Sequence, residues 1–307
     1  MYFRSMPITT NMKVAGAVAA AIASIATVKA VKEQFGTTPR VSVINLHGTI
    51  MQGKGSPIGG KLINLESTRK SIDKAFKPKR LEAVFLNINS PGGSAVQSDL
   101  VSSYIKEKAA KHNVPVIAFV EDTAASGGYW LACTGSEIYA ARSSVVGSIG
   151  VISMGLGFHQ LIEKWGIERR TFTAGENKSV LDPLSPLKEK DVEIIKSLLN
   201  NIHTHFIDHV KESRGDRLKG DDKTIFNGEF WTGEPALKLG LIDGIDNLDS
   251  YIKRKWGDDV DVIRVKGGSK FEELLGEAMG LIPANSTSFV PLLLDSQSSV
   301  FSNSVIR

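Results

Sequence analysis

From Arg40 onward the apolar positions switch between a period of two and a period of 3.6, and each switch marks a change of element. Val41–Leu46, Leu81–Ile88 and Val114–Val120 are short runs of aliphatic, β-branched and aromatic residues and are predicted strands. Helical patterns of suitable length lie between them, which predicts a βαβ plan around a parallel sheet. The helix after the second strand is predicted to begin at Ser94, with Gln97 completing a capping box and Val96, Leu100, Tyr104 and Ile105 on its apolar face. Farther on, Val192, Ile195, Leu198, Leu199, Ile202, Phe206 and Val210 keep the helical period until Arg214-Gly215. That pattern predicts a long packed helix with one continuous buried stripe. Arg170–Thr173 reads as another strand, and Phe271 to Met279 as a short amphipathic piece.

The two ends of the chain break this pattern. No acidic residue precedes Glu33, while Arg4, Lys13, Lys29 and Lys32 flank a stretch of small and apolar residues from Val14 to Val28. The stretch is shorter than the roughly 20 residues of a spanning helix, and alanine is weakly hydrophobic. A signal peptide or membrane anchor, a mitochondrial-type presequence and a plain helical arm all fit it, so residues 1–36 are set apart as a targeting or anchor segment. Residues 268–307 form a C-terminal extension. Its last part, 284–307, has seven serines and two charges and is expected to be mostly disordered.

Composition narrows the function. A chain of 307 residues with 42% hydrophobic and 23% charged residues is a globular protein of one or two domains. The net charge is +4 and no Lys/Arg block is interleaved with aromatics, so nucleic-acid binding has no support. The single cysteine, Cys133, rules out an intramolecular disulfide framework, a cysteine-based zinc site and an iron–sulfur cluster.

Two glycine-rich turns carry candidate chemistry. Asn89-Ser90-Pro91-Gly92-Gly93 joins a predicted strand to the helix capped at Ser94, where free backbone amides can donate to an anion. Thr123-Ala124-Ala125-Ser126-Gly127-Gly128 again follows a strand and precedes a short helical run. Small neighbours leave the Ser126 hydroxyl accessible, which suits a nucleophile; the plain structural use is an N-cap. A nucleophilic serine needs a base. The pair His205 and His209 reads as a solvated helix face, and His159 is a weak triad partner. The alternative base is a lysine whose charged form is disfavoured by burial. Lys178, in the loop after Arg170–Thr173, is such a residue or else an ordinary surface charge.

Taken together, TAASGGYWLA around Ser126, NSPGG upstream, Val146-Gly147-Ser148-Ile149-Gly150-Val151, then GENKSVLDP, and finally Trp231-Thr232-Gly233 and Gly240-Leu241-Ile242-Asp243-Gly244 resemble the S49 peptidases in order and spacing. The resemblance covers about residues 40–265, placing a peptidase domain at 37–267. It implies an α/β, ClpP/crotonase-like fold of stacked βαβ units with the long amphipathic helix, and peptide-bond hydrolysis by a serine–lysine dyad. By motif, Ser126 is the nucleophile and Lys178 the general base. Gly92, Gly93 and Gly127 supply candidate oxyanion donors, and Ser148 is a candidate to orient Lys178 or simply forms its turn. Val145, Val146, Ile149 and Val151 are expected to shape shallow pockets for hydrophobic peptides, cleaved signal peptides first among them. No metal or other cofactor is implied. The family pattern also implies a homo-oligomeric ring, in which the dyad is shared between neighbouring copies or formed within one chain. The N-terminal segment, outside the match, suggests a membrane-associated location, or else a mitochondrial one. A crotonase-type acyl-CoA enzyme and a non-catalytic scaffold are the alternatives.

Overall fold

The computed structural model describes residues 38–53 and 62–265. Both terminal segments, including Phe271 to Met279, lie outside the described residues. The chain runs β1 (Arg40–His47), β2 (Thr49–Ile50), β3 (Leu62–Ile63), α1 (Leu65–Ala75), β4 (Leu81–Ser90), α2 (Ala95–His112), β5 (Val116–Ala125), α3 (Gly127–Ala132) and β6 (Glu137–Ala140). It continues through β7 (Val145–Gly147), α4 (His159–Lys164), α5 (Glu189–Arg214), α6 (Asp222–Ile225), β8 (Phe230–Thr232), α7 (Gly233–Lys238), β9 (Gly244–Ile245), α8 (Leu248–Trp256) and β10 (Asp261–Val265).

The main sheet has the order β10-β1-β4-β5-β6-β9, with every neighbouring pair parallel. The central strands β1, β4 and β5 are buried on both faces over most of their length, as parallel strands under helices are. Ile44, Leu46, Leu86, Ile88, Ala118 and Val120 face the larger core, which α1, α2, α3 and α5 cover. Val41, Val43, Phe85 and Phe119 face a smaller core closed by Leu248, Tyr251 and Ile252 of α8. The stacked βαβ units and the long helix implied by the motifs are thus present. β5 runs five residues past its predicted end. Thr123, Ala124 and Ala125 stay in the sheet because β7 pairs with them in parallel, and β7 is in turn held by antiparallel β8.

Four sequence expectations are corrected. In α2, Val96 and Leu100 are 65% and 40% exposed, while Ser98, Val101, Ser102 and Ile105 are buried. The serine face turns inward because its hydroxyls have partners: Ser98 Oγ donates to the Ser94 carbonyl at 2.9 Å and Thr134 Oγ1 donates to Ser102 Oγ at 2.8 Å. Small side chains there also let α2 approach α3 closely. Ser94 Oγ accepts from the Gln97 amide, but the Gln97 carbonyl oxygen accepts from the Leu65 amide instead of closing a capping box.

The stripe of α5 is buried only toward its C-terminal end, at Phe206, His209 and Val210, whereas Leu198 is 51% exposed. Arg170–Thr173 is not a strand, since no sheet edge lies beside it; residues 165–188 run as turns and loops. Among the described residues no helix is long and apolar enough to cross a membrane.

Candidate active site

β4 and β5 are neighbours and parallel, so the two glycine-rich turns leave the same edge of the sheet side by side. In the first turn, the Gly92 amide donates to Ser90 Oγ at 3.2 Å and the Gly92 carbonyl accepts from the Ile50 amide at 2.8 Å. The Ser94 amide donates to the Ile50 carbonyl at 2.7 Å, so β2 clamps the turn from outside. Gly93 has φ +139°, and a Cβ there would run into the Ile50 carbonyl, so only glycine fits.

The second turn presses against the first. A Cβ on Gly92 would stand 2.8 Å from both Ser126 Cβ and the Gly127 nitrogen. One on Gly127 would collide with Ser98 Oγ and stand 3.4 Å from the Gly93 nitrogen. The Gly93 and Gly127 amides therefore lie close together beside Ser126. Neither is among the turn and cap amides that donate to a backbone carbonyl, and the first amide of a helix has no partner within it.

Ser126 is half-buried and has φ +52° and ψ −122°, a region that costs a non-glycine residue on the order of 1–3 kcal/mol. The conformation is held by the backbone. Its amide donates to the Gly147 carbonyl at 2.8 Å, and its own carbonyl accepts from the Tyr129 and Trp130 amides at 2.9 and 3.0 Å. The side chain makes no cap hydrogen bond to α3. The N-cap use that composition left open is not taken up: among the described residues the Ser126 hydroxyl makes no hydrogen bond, and it stands at a strained turn beside the Gly93 and Gly127 amides.

Ser148 follows β7 and reaches the same edge, because Gly147 pairs with Ala125. It too has a positive φ, +54°, and its amide donates to the Glu229 carbonyl at 2.6 Å. Val146 and Ile149 are fully buried in the core, so they do not line an open pocket as the sequence suggested.

Lys178 is exposed on a turn whose backbone closes from the Lys178 amide to the Gly175 carbonyl at 3.2 Å, and among the described residues its side chain makes no hydrogen bond or ion pair with Ser126 or Ser148. The turn belongs to an arm between β7 and α5 that has a fold of its own. The Phe158 amide donates to the Pro183 carbonyl at 2.6 Å, Arg169 pairs with Asp182 at 3.2 Å, and the Leu181 amide donates to Asp191. The Leu184 amide and then Arg169 outweigh the effect of burial and hold the Asp182 carboxyl below the usual carboxylate range. No side chain of α4 is buried, and Trp165 and Phe172 are 73% and 93% exposed. His159 opens α4 on this arm and makes no hydrogen bond to Ser126. The structure thus gathers Ser126, Gly92, Gly93, Gly127 and Ser148, while Lys178 is exposed and makes no hydrogen bond with them among the described residues.

Behind Ser126, α3 is anchored by groups to which the sequence reading gave no such role. His209, read above as part of a solvated face, is buried, stacks on Trp130 at 4.6 Å and bonds its carbonyl through Nε2 at 3.0 Å. Burial lowers the His209 pKa against the raising effect of that bond, and Nε2 is the donor because a carbonyl only accepts. The Tyr129 hydroxyl donates to the Leu241 carbonyl at 2.7 Å. Buried Arg214 holds the same segment through Gly240 and through both carboxylate oxygens of Asp243, at 2.7 and 3.0 Å. Burial alone would raise the Asp243 carboxyl, but Arg214, the Ile138 amide and Arg217 bring it below its ordinary value. Burial pushes the Cys133 thiol up to about 11, which leaves it no nucleophile. Only the spacing of Arg214 and of GLIDG against the glycine turns could have pointed to this anchor. Among the described residues no group of three or more His, Cys, Asp or Glu could hold a metal ion.

With this geometry in place, the sequence profile described as Peptidase family S49 matches residues 108–260. A Brucella melitensis protein named Na(+)/H(+) antiporter NhaA is 46% identical over 251 residues, which is 82% of this chain and 33% of that protein. The chain therefore spans only about a third of that relative's length. A putative protease of Synechocystis sp. is 31% identical over 62% of this chain and 68% of its own length. A putative signal peptide peptidase SppA of Enterococcus faecium is 28% identical over 76% of this chain and 69% of its own.

Proposed function

Because the chain belongs to peptidase family S49, a family of serine peptidases, we propose that it is an endopeptidase in which Ser126 attacks the scissile carbonyl and Lys178 takes the serine proton. The observation that carries the reading is the Ser126 hydroxyl, released from capping at a strained turn beside the Gly93 and Gly127 amides. Attack forms the bond from Oγ to the carbonyl carbon while neutral Lys178 Nζ accepts the hydroxyl proton. The carbonyl oxygen becomes an oxyanion held by the two amides, each such donor being worth about 3–4 kcal/mol of transition-state stabilisation. Collapse breaks the C–N bond, Lys178 returns the proton to the leaving amine, and water releases the acyl group with Lys178 again as base. The Gly92 amide, already given to Ser90, shapes the turn rather than binding the oxyanion.

Lys178 reaches Ser126 from a neighbouring copy. What supports this is the exposed arm that carries the lysine, with the uncovered Trp165 and Phe172 on it. A ring of identical copies joined through heterologous contacts places each arm on the next subunit's site. Substrates are small hydrophobic peptides such as cleaved signal peptides, a reading supported by the name of the Enterococcus faecium relative. Neither metal nor other cofactor takes part in these steps.

A fluorophosphonate probe tests the proposal, since it labels only an activated serine. Stoichiometric labelling that maps to Ser126 is expected; an unlabelled protein, or a label on any other serine, overturns it. Ser148, at the same edge, has the second role of directing the arriving lysine through its hydroxyl. Ser148→Ala is expected to lower kcat/KM by roughly fivefold with an unchanged melting temperature, the cost of about 1 kcal/mol for one hydrogen bond. A change within about twofold assigns Ser148 to the turn alone.

A further inference from the structure

Two loops of the site are held from behind by one helix. Ser126 leads into α3, and Ser148 leads into Ile149 and Gly150. α5 touches both. His209 Nε2 bonds the Trp130 carbonyl of α3 at 3.0 Å, and His203 Nε2 bonds the Ile149 carbonyl at 3.1 Å. A carbonyl only accepts, so each Nε2 carries a proton. With 3.6 residues per turn the two histidines stand about 120° apart around the helix, with Phe206 and Val210 between them. They are therefore the borders of the stripe that the C-terminal half of α5 buries, His209 buried and His203 half-buried.

The backbone offers these two carbonyls no donor. α3 is six residues long and ends before an amide reaches Trp130: the Cys133 amide goes to the Tyr129 carbonyl and the Thr134 amide to that of Leu131. Ile149 is fully buried outside any strand, and among the described residues no turn or loop amide donates to its carbonyl. A buried carbonyl without a donor costs more than an ordinary hydrogen bond gains, so a side chain has to reach it. Phenylalanine or leucine would fill the borders of the stripe and donate nothing.

What the two bonds fix is a spacing. The Trp130 amide donates to the Ser126 carbonyl at 3.0 Å, and its ring stacks on His209 at 4.6 Å and packs on Phe206 at 5.1 Å. A shift of Trp130 therefore carries Ser126 and Gly127 with it, and a shift of Ile149 carries Ser148. β5 and β7 pair as far as Ala125 and Gly147, but Ser126 and Ser148 follow with positive φ and lie beyond that ladder. α5 supplies a second tie between them. We propose that His203 and His209 are positioning residues that hold the Ser148 turn and α3 on one rigid helix, and so set the Ser148 hydroxyl and the Gly127 amide relative to the Ser126 hydroxyl. Neither ring touches the reacting atoms. The inference rests on the reading of Ser126 as the nucleophile, and it concerns kcat, since a misplacement of about 1 Å can cost about a hundredfold in rate.

The test uses the full chain and paired variants. Glutamine carries its amide N–H as many bonds from Cα as histidine carries Nε2, so H209Q and H203Q keep the donor, whereas H209F and H203L keep the bulk and lose it. H209F and H203L are each expected to lower kcat on a hydrophobic peptide about tenfold or more with KM within about twofold, and each Gln variant to recover to within about threefold of the parent. Leu248→Ala, in the smaller core on the other face of the sheet, is the control and should melt several degrees lower with kcat unchanged. A kcat that merely follows melting temperature across the variants overturns the inference. So do apolar variants that turn over like the parent, or Gln variants as slow as their apolar counterparts. If H209F does not fold, the half-buried His203 pair decides. Fluorophosphonate labelling separates the two readings: a parent that labels at Ser126 and cleaves, beside unaffected histidine variants, loses this inference alone, while an unlabelled and inactive parent removes the nucleophile and the positioning role together.

Discussion

Ser126→Ala is expected to lose peptide hydrolysis by at least about four orders of magnitude while melting within a few degrees of the parent. The two halves of this expectation come from different features of the turn. The hydroxyl oxygen is the only heavy atom removed, and it caps nothing. The unusual backbone of residue 126 is held by its amide and carbonyl, which alanine keeps. Alanine is no better suited than serine to φ +52°, so the strain stays and stability barely changes. Steady-state kinetics on a hydrophobic peptide together with a thermal melt decide the matter. Full turnover in a folded variant removes Ser126 from the mechanism; a variant that unfolds would mean that the hydroxyl has a structural partner.

Ser126→Ala and Lys178→Ala subunits, each inactive alone, are expected to regain activity when co-assembled, near a quarter of the parent value for random equal mixing. The quarter follows from heterologous contacts: a site works only where an intact serine from one copy meets an intact lysine from the next. If each dyad formed within one chain, every site in the mixture would lack one of the two groups. Lys178→Arg in place of Lys178→Ala should be equally inactive alone, because a guanidinium gives up no proton in proteins and cannot serve as the base. Mass measurement of the mixed assembly with hydrolysis measured on the same sample is the check. A verified mixed oligomer that stays inactive rules out the shared dyad.

The parts of the fold that were legible in the sequence are those where one local signal dominates. Runs such as Leu81–Ile88 are strands because they are apolar on both faces, and α5 stops at Gly215 because glycine can take the positive φ found there. The buried face of α2 was not legible. An apolar stripe at Val96, Leu100 and Tyr104 predicted the opposite orientation. The serine face won because Ser102 accepts from the Thr134 hydroxyl, a partner that exists only in the folded chain, while Ser98 satisfies itself on the Ser94 carbonyl of its own helix. His209 was misread for the same reason, its partner Trp130 lying about 80 residues earlier in the chain. At the site, composition placed Ser126 at a strand-to-helix turn but could not separate cap from nucleophile. That distinction lives in the backbone angles of residue 126 and in a cap hydrogen bond that the side chain does not make. Lys178 came from motif order alone, and no periodicity carries information about a residue on a turn of an exposed arm.

The parallel pairing of β1 with β10 has a consequence for how the protein is made. Arg40 to Ile44 lie against Asp261 to Val265, so the first long strand of the sheet waits for the last one. At roughly 5–20 residues per second, a ribosome needs about 10–45 s to deliver the roughly 220 intervening residues. Throughout that interval β1 presents one unpaired edge, with Val41 and Val43 along it. Such an edge templates association with other nascent chains. A nascent chain stalled before residue 261 is therefore the species most exposed to aggregation and the one a chaperone would most need to shield.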